Sequence, residues 1–152
     1  MQTEQAIAPL LEVYRSQPGG LLPLLHAVQQ ALGYIPPEAI PDIARAMNLS
    51  RAEVHGVISF YHDFRSEPAG RHTLQICRAE ACQAMGSRDL ENHARRSLAI
   101  DFGETTADGA VTLEPVYCLG NCACSPSVRI DDCVYARVDP ARLDALLAEL
   151  GD

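Results

Sequence analysis

The chain has 152 residues, 47% of them hydrophobic and 21% charged, and its formal net charge is −8. This length allows one ordinary hydrophobic core or two small ones. The acidic balance disfavours nucleic acid and anionic membrane as partners, because both are polyanions, so the expected partner is another protein. The first eight residues show neither a basic start nor a long apolar run, which argues against a secretory signal or membrane insertion. Six cysteines without such a signal indicate a cytoplasmic protein whose thiols bind metal or do redox chemistry.

The first half of the chain predicts a small helical bundle over residues 1–68. Apolar residues recur at helical spacing in four successive segments, with no comparable alternating stretch. The second segment ends at Gly33, and the fourth begins at Ser50, which forms a capping-box pattern with Glu53. Tyr61 is placed on the apolar face of the fourth helix. We expect these faces to form a core that carries no chemistry.

The second half, residues 71–152, predicts a mixture of strands and helices. Ser66–Gly70 marks the boundary, because Pro and Gly interrupt the pattern there and its period then changes. The predicted elements are a strand at Thr73–Ile76, a helix around Leu90, a strand at Val111–Tyr117, a hairpin at 128–136 and a helix that starts at Pro140. The whole chain is therefore predicted to be α+β, with a helical bundle followed by a thioredoxin-like βαβββα domain.

Four cysteines lie in two loops that each follow a predicted strand. Cys77 and Cys82 form a C-x4-C pattern, and Cys118 and Cys122 form a C-x3-C pattern. Thiolates are the soft ligands of iron–sulfur clusters, and four of them on two facing loops can enclose a [2Fe–2S] cluster. A structural zinc site stays open as an alternative, since C-x3-C suits zinc although C-x4-C suits it less well. Disulfides or unligated thiols also remain open.

The other cysteines and the histidines are interpreted as structural. Cys124 is expected to be a spectator thiol, because four ligands already complete a two-iron site. Cys133 is expected to pack as a small hydrophobe in the predicted hairpin. His55 and His62 share one helical face if the fourth helix continues past Tyr61, and both are interpreted as surface or packing residues.

The two cysteine loops, followed by Pro126, resemble those of the thioredoxin-like [2Fe–2S] ferredoxins. They read C-R-A-E-A-C over Cys77–Cys82 and C-L-G-N-C over Cys118–Cys122. The resemblance extends through Gly33–Pro36 and Glu53–Tyr61 to nearly the whole chain, which is similar to the 24-kDa-type subunit of respiratory complex I and its relatives. It implies that the four cysteines bind one [2Fe–2S] cluster.

Within that family, several short segments most resemble the gamma subunit of NAD-dependent, molybdenum-containing formate dehydrogenase. They are His55, Tyr61–Phe64, Cys77–Cys82 and Cys122–Cys124. This likeness implies an electron-transfer subunit whose cluster exchanges electrons with FMN while formate and NAD+ become CO2 and NADH. The implied partners are an NADH- and FMN-binding flavoprotein subunit and a molybdenum catalytic subunit, which alone carry the FMN and the molybdenum cofactor. Equivalent subunits of complex I or of an NAD-reducing hydrogenase are the alternatives.

Catalysis by this chain alone is not expected. The sequence contains no nucleophile–base pair, paired-carboxylate motif, phosphate-cradling glycine loop or H-E-x-x-H sequence. Thiol–disulfide exchange of the thioredoxin type needs a C-x-x-C pair, which is lacking. A zinc-stapled protein-interaction module is the alternative from a different functional class. The amphipathic helices could also pair two copies of the isolated subunit as a homodimer.

Overall fold

The structure is a computed structural model that describes residues 2–151. The chain divides into two compact units, Met1–Pro68 and Ala69–Asp152. The division into domains that the sequence predicts, a helical bundle at 1–68 and a thioredoxin-like domain at 71–152, remains a prediction. Within the described residues, no helix has both the length and the apolar character needed to cross a membrane.

The first unit is helical, and its helices begin and end where local sequence signals indicate. Gly33 (φ 81°) follows the second helix and Asn48 (φ 54°) follows the third, both in the left-handed conformation that these two residue types adopt most readily. The helices are α1 (Gln2–Tyr14), α2 (Leu21–Leu32), α3 (Ile40–Met47) and α4 (Arg51–Phe60), with a 3₁₀ turn at Pro37–Ala39.

The predicted capping box at the start of α4 is confirmed. The Ser50 hydroxyl accepts a hydrogen bond from the Glu53 backbone N–H at 3.2 Å, and the Ser50 N–H donates to the Glu53 carboxylate at 2.8 Å. Apolar side chains from all four helices form the core of this unit, and the fully buried ones include Leu24, Leu25 and Ile43.

The end of α4 corrects one expectation. The helix stops at Phe60, and Tyr61 has extended backbone angles and a side chain that is 43% exposed. His55 and His62 therefore do not share a helical face. Both histidines are exposed, in agreement with their interpretation as surface residues.

The second unit is built on a four-stranded mixed sheet in the order β2-β1-β3-β4. β1 pairs parallel with β2 and antiparallel with β3, and β3 pairs antiparallel with β4. Helices connect and follow the strands, so the fold class predicted from the sequence is confirmed, with one additional short helix before the long one. The elements are β1 (His72–Cys77), α5 (Glu80–Ala84), α6 (Ser87–Leu98), β2 (Val111–Val116), β3 (Val128–Ile130), β4 (Cys133–Tyr135) and α7 (Pro140–Glu149).

The core of the second unit lies between the sheet and its helices. Leu74 and Ile76 alternate along β1 to the same face, as residues two apart on a strand must. They pack in one cluster with Leu90 of α6 and Leu143 of α7. This packing holds β1 rigidly, and Cys77 is the last residue of that strand.

Candidate metal centre

The sheet topology brings the two cysteine loops together. β1 and β2 are parallel, so their carboxyl ends meet at the same edge of the sheet, and Cys77 lies opposite Val116, just before Cys118. The Arg78 N–H donates to the Val116 carbonyl at 2.8 Å, and the Cys77 N–H donates to the Ser127 carbonyl at 3.2 Å. The segments that follow β1 and β2 and the residue that precedes β3 therefore meet where the first cysteine lies.

Cys77 and Cys82 form an inner pair. Cys82 lies in the one-turn helix α5, and both side chains are buried, with 2% and 3% exposure. The two thiols interact electrostatically, and burial together with the nearby Cys82 thiol raises the pKa of Cys77. The backbone N–H groups of Ala79 and Cys118 act in the opposite sense and favour the Cys77 thiolate. Backbone donors beside a sulfur favour the thiolate form that binds metal, whereas burial opposes it.

Cys118 and Cys122 form an outer pair, and both are exposed. Their sulfur atoms lie 3.6 Å apart. Two thiolates on one tetrahedral metal, with metal–sulfur bonds of about 2.3 Å, lie about 3.8 Å apart, so this pair has the separation of two ligands to one ion. The Gly120 N–H donates to the Cys118 sulfur at 3.3 Å, and Gly120 has a φ of 74°, which glycine adopts without strain.

The backbone of Cys118 itself is strained. Its φ of 109° is unusual for a residue with a Cβ atom, and such conformations persist where the surrounding structure over-determines them, often at ligand sites. In this conformation the Cys118 sulfur lies 3.6 Å from that of Cys122 and accepts a hydrogen bond from the Gly120 N–H.

The electrostatics couple the outer pair of cysteines to the inner pair. Burial raises the pKa of the Cys77 thiol. The hydrogen bond from the Gly120 N–H lowers the pKa of Cys118. The pKa of Cys122 is raised, first by its contact with Cys118 and further by the charges of Cys82 and Cys77. Negative charge on the inner pair therefore acts on the Cys122 thiol of the outer pair.

The donor set fits a two-iron cluster. Four thiols in two pairs correspond to two metal ions with two terminal sulfur ligands each, which is how cysteines hold a [2Fe–2S] cluster. Within residues 2–151, no three His, Cys, Asp or Glu side chains are grouped as ligands around a single ion.

A network of hydroxyl groups, which the sequence analysis missed, supports the outer loop. Ser125 is buried, donates to the Cys122 carbonyl at 2.8 Å and lies 3.4 Å from the Cys82 sulfur. Ser127 is also buried, accepts from the Asn121 amide at 3.1 Å and donates to the Cys124 carbonyl. Two serines so close to the C-x3-C pattern were the available signal, but sequence spacing does not tell which atoms a hydroxyl will reach.

Cys124 and Cys133 differ from the four clustered cysteines. Cys124 is half-buried, and its backbone hydrogen-bonds to Asn121 and Arg137. Cys133 begins β4 beside the two-residue turn of the hairpin, and it is exposed. The expectation that Cys133 packs as a small hydrophobe in the hairpin is wrong, because Cys133 directly follows the hairpin turn on the edge strand β4 and is exposed there.

The remaining histidines have clear local partners. His72 lies 2.7 Å from the Asp131 carboxylate, and His93 lies 2.7 Å from the Asp144 carboxylate. His26 packs against Phe64 with ring centroids 4.8 Å apart.

Comparison with known proteins identifies the family to which this chain is similar. The family model described as thioredoxin-like [2Fe-2S] ferredoxin matches residues 7–151. The chain is 40% identical over 131 residues to NADH-quinone oxidoreductase subunit 2 of Thermus thermophilus, covering 86% of this chain and 72% of that protein. It is 32% identical over 143 residues to the NADP-reducing hydrogenase subunit HndA of Solidesulfovibrio fructosivorans, covering 94% and 84%.

A solved structure has a similar fold. A chain of an NAD+-reducing [NiFe]-hydrogenase, crystallised in the H2-reduced state, matches with a TM-score of 0.73 and 30% identity. The match covers 87% of the present chain but only 22% of that much longer chain.

Proposed function

Because this chain belongs to the thioredoxin-like [2Fe–2S] ferredoxin family, we propose that it is an electron-transfer subunit in which Cys77, Cys82, Cys118 and Cys122 bind one [2Fe–2S] cluster. The match over residues 7–151 confirms the family and the [2Fe–2S] cofactor that the sequence predicted. The observation that carries the ligand assignment is the pairing of the sulfurs, above all the 3.6 Å separation of Cys118 and Cys122.

A bound [2Fe–2S] cluster supplies one-electron transfer with little rearrangement, which suits it to exchange electrons with a flavin. The residues of this chain determine where that exchange occurs. Cys77 and Cys82 are buried, whereas Cys118 and Cys122 are exposed, so the outer pair is the side from which a partner can approach. The Gly120 N–H donates to the Cys118 sulfur and stabilises negative charge there, and the backbone N–H groups of Ala79 and Cys118 act in the same sense on Cys77.

We further propose that the partner is an NAD- and FMN-binding flavoprotein subunit. The support is that similar proteins are named as subunits of NADH-quinone oxidoreductases and of an NADP-reducing hydrogenase. The net charge of −8 favours a docking face with basic residues on that partner. On this proposal the complex works in the cytoplasm, and the isolated subunit pairs with itself when the flavoprotein is missing.

Our specific proposal for the complex is an NAD-dependent formate dehydrogenase with a molybdenum catalytic subunit. It is supported by the likeness of the short segments around His55, Tyr61–Phe64, Cys77–Cys82 and Cys122–Cys124 to the gamma subunit of that enzyme. Complex I and NAD-reducing hydrogenase are second candidates, which the names of similar proteins favour.

The ligand assignment is tested by reconstituting the isolated protein with iron and sulfide under anaerobic conditions. We expect a brown protein whose absorbance falls on reduction and whose reduced form gives an electron paramagnetic resonance (EPR) signal. Cys122→Ser should disturb that spectrum strongly, whereas the matched variant Cys124→Ser should leave it unchanged. Equal loss in both variants would refute the assignment, and a colourless protein that takes up zinc alone would favour the zinc-stapled interaction module.

The identity of the complex is tested by elemental analysis of whatever co-purifies with this chain from its native cells. Iron together with molybdenum supports formate dehydrogenase, and iron together with nickel supports a hydrogenase. Iron without either metal favours the respiratory complex. Zinc without iron would refute the electron-transfer proposal.

A further inference from the structure

A buried carboxylate lies behind the inner pair of cysteines. Glu91 is on the face of α6 that packs against the sheet, next to Leu90 and one turn before Ala94, and its side chain is 7% exposed. An apolar residue would be expected at such a position, because burying an unpaired carboxylate costs several kcal/mol. Glu91 must therefore have partners that compensate for its burial.

Both partners lie beside the inner pair of cysteines, Cys77 and Cys82. The Arg78 Nε–H donates to Glu91 Oε1 at 3.2 Å, and the Gln83 side-chain amide donates to the same oxygen at 3.3 Å. Arg78 directly follows Cys77, and Gln83 directly follows Cys82. One carboxylate oxygen therefore holds the residue after each inner cysteine.

Further contacts strengthen this connection. The Gln83 amide also reaches the Arg78 carbonyl at 3.4 Å, which joins the two ends of the loop directly. The Arg78 guanidinium lies over the Phe102 ring, 5.0 Å from its centroid, which favours the arginine rotamer that meets Glu91. One turn before Glu91, the buried Ser87 hydroxyl donates to the Cys77 carbonyl at 2.5 Å.

We propose that Glu91 is a positioning residue of the cluster site, which fixes the Cys77–Cys82 loop by both ends and thereby sets the separation of the two inner sulfurs. The proposal rests on the ligand assignment given above. Helix α6 is a rigid element packed on the sheet, so a loop attached to it at two points holds its thiols in place before iron arrives. Glu91 does not touch the cluster; it acts through Arg78 and Gln83.

The charge and the hydrogen bonds of Glu91 can be separated by substitution. Glu91→Gln keeps an oxygen acceptor at the same place without the charge. Glu91→Leu has a similar volume but removes the acceptor, leaving Arg78 and Gln83 without this shared contact. Glu80→Gln removes an exposed carboxylate from the same loop, and Asp89→Asn removes an exposed one from the same helix, so both serve as matched controls.

The test uses the reconstituted protein and measures the rate of iron release to a chelator, together with the EPR g values of the reduced form. We expect Glu91→Leu to release iron about 10–100-fold faster and to shift the g values, as outer-shell variants do at metal sites. Glu91→Gln should retain most of the wild-type behaviour, and the two controls should match the wild type. Thermal unfolding of the metal-free proteins, measured in parallel, reports any general loss of stability.

Several results would overturn the proposal. It fails if Glu91→Leu lowers only the unfolding temperature while iron release and g values stay as in the wild type, or if Glu80→Gln has an equal effect. If Glu91→Leu does not fold, Gln83→Met removes one of the two ties and should accelerate iron release about 2–10-fold, the equivalent of one hydrogen bond; an unchanged rate would then count against the proposal. A wild-type protein that assembles no cluster would instead refute the proposed function itself, and the positioning role with it.

Discussion

Ser125 offers a sharp test of how this chain adjusts a bound cluster. Its hydroxyl lies 3.4 Å from the Cys82 sulfur and 2.8 Å from the Cys122 carbonyl, in a buried position. In the metal-free protein the Cys82 thiol can donate its proton to Ser125. A thiolate that binds iron has no proton to donate, so a hydrogen bond between the two groups then requires the single Ser125 O–H, which here donates to the Cys122 carbonyl, to turn to the Cys82 sulfur.

The size of the effect follows from the charge on the cluster. Reduction adds one negative charge, so a hydrogen bond to a ligand sulfur stabilises the reduced form more than the oxidised form and raises the potential. A net hydrogen bond contributes about 0.5–1.5 kcal/mol. For a one-electron couple, about 59 mV corresponds to a tenfold change in equilibrium constant, or about 1.4 kcal/mol. Ser125→Ala should therefore lower the midpoint potential by about 20–65 mV.

The assay is a redox titration of the reconstituted protein, followed by the EPR signal of the reduced form. Ser125→Thr keeps a hydroxyl and should stay near the wild-type potential. Ser127→Ala removes a nearby buried hydroxyl that bonds to Asn121 and Cys124, so it controls for general disturbance of the loop. A shift of less than about 10 mV in Ser125→Ala, or a shift to higher potential, would refute the reasoning.

Four further outcomes are expected from the fold. Gly120→Ala should lower the free energy of unfolding by about 1 kcal/mol, because alanine is strained at the φ of 74° that Gly120 adopts. An added Cβ would meet no atom within 4 Å, so the loss comes from the backbone conformation alone. Urea denaturation that shows no loss would contradict this. Leu25→Ala should cost about 2–5 kcal/mol in the same assay, since Leu25 is fully buried, and a loss under 1 kcal/mol would show that the site collapses. Ser50→Ala should cost about 1 kcal/mol through loss of the helix cap, with exposed Ser59→Ala as the control. The backbone N–H of Ser50 lowers the pKa of Glu53 below its ordinary 4.5. The stability that this hydrogen bond contributes is therefore complete above pH 4.5 and is lost as the pH falls through the lowered pKa. Glu53→Gln should weaken the acid dependence of the unfolding temperature, and an unchanged dependence would refute the link.

Local signals in the sequence were sufficient for much of this molecule. The helix cap at Ser50 and the left-handed turn at Gly33 depend on residues a few positions apart, so their conformations could be predicted directly. The cysteine pairs were also local, because each pair lies within one loop. The two pairs were expected to meet because each follows a predicted strand, and the parallel pairing of β1 and β2 brings them to the same edge of the sheet.

Elements that depend on distant contacts were harder to predict. The apolar pattern continued through Tyr61, yet α4 ends at Phe60, where the chain turns so that Phe64 can enter the core. The hairpin was predicted at about the right place, but the exposure of Cys133 was not. β4 is an edge strand on which both Cys133 and Val134 are exposed, and a position at the sheet edge follows from the strand order, which the three residues of β4 do not reveal.

Glu91 illustrates why the support of a site is harder to predict than its ligands. Its position in α6 follows Leu90 and precedes Ala94 by three residues, so a helical wheel places it at the border between the buried stripe and the polar face. An acidic residue at such a border is usually solvated, and nothing within a few residues indicates otherwise. Its partners Arg78 and Gln83 lie in a different segment, which meets α6 where Ser87 of that helix donates to the carbonyl of Cys77, the last residue of β1. Ligand chemistry restricts residue type and spacing, and both are visible in a sequence, whereas the groups that orient ligands are selected by three-dimensional proximity alone.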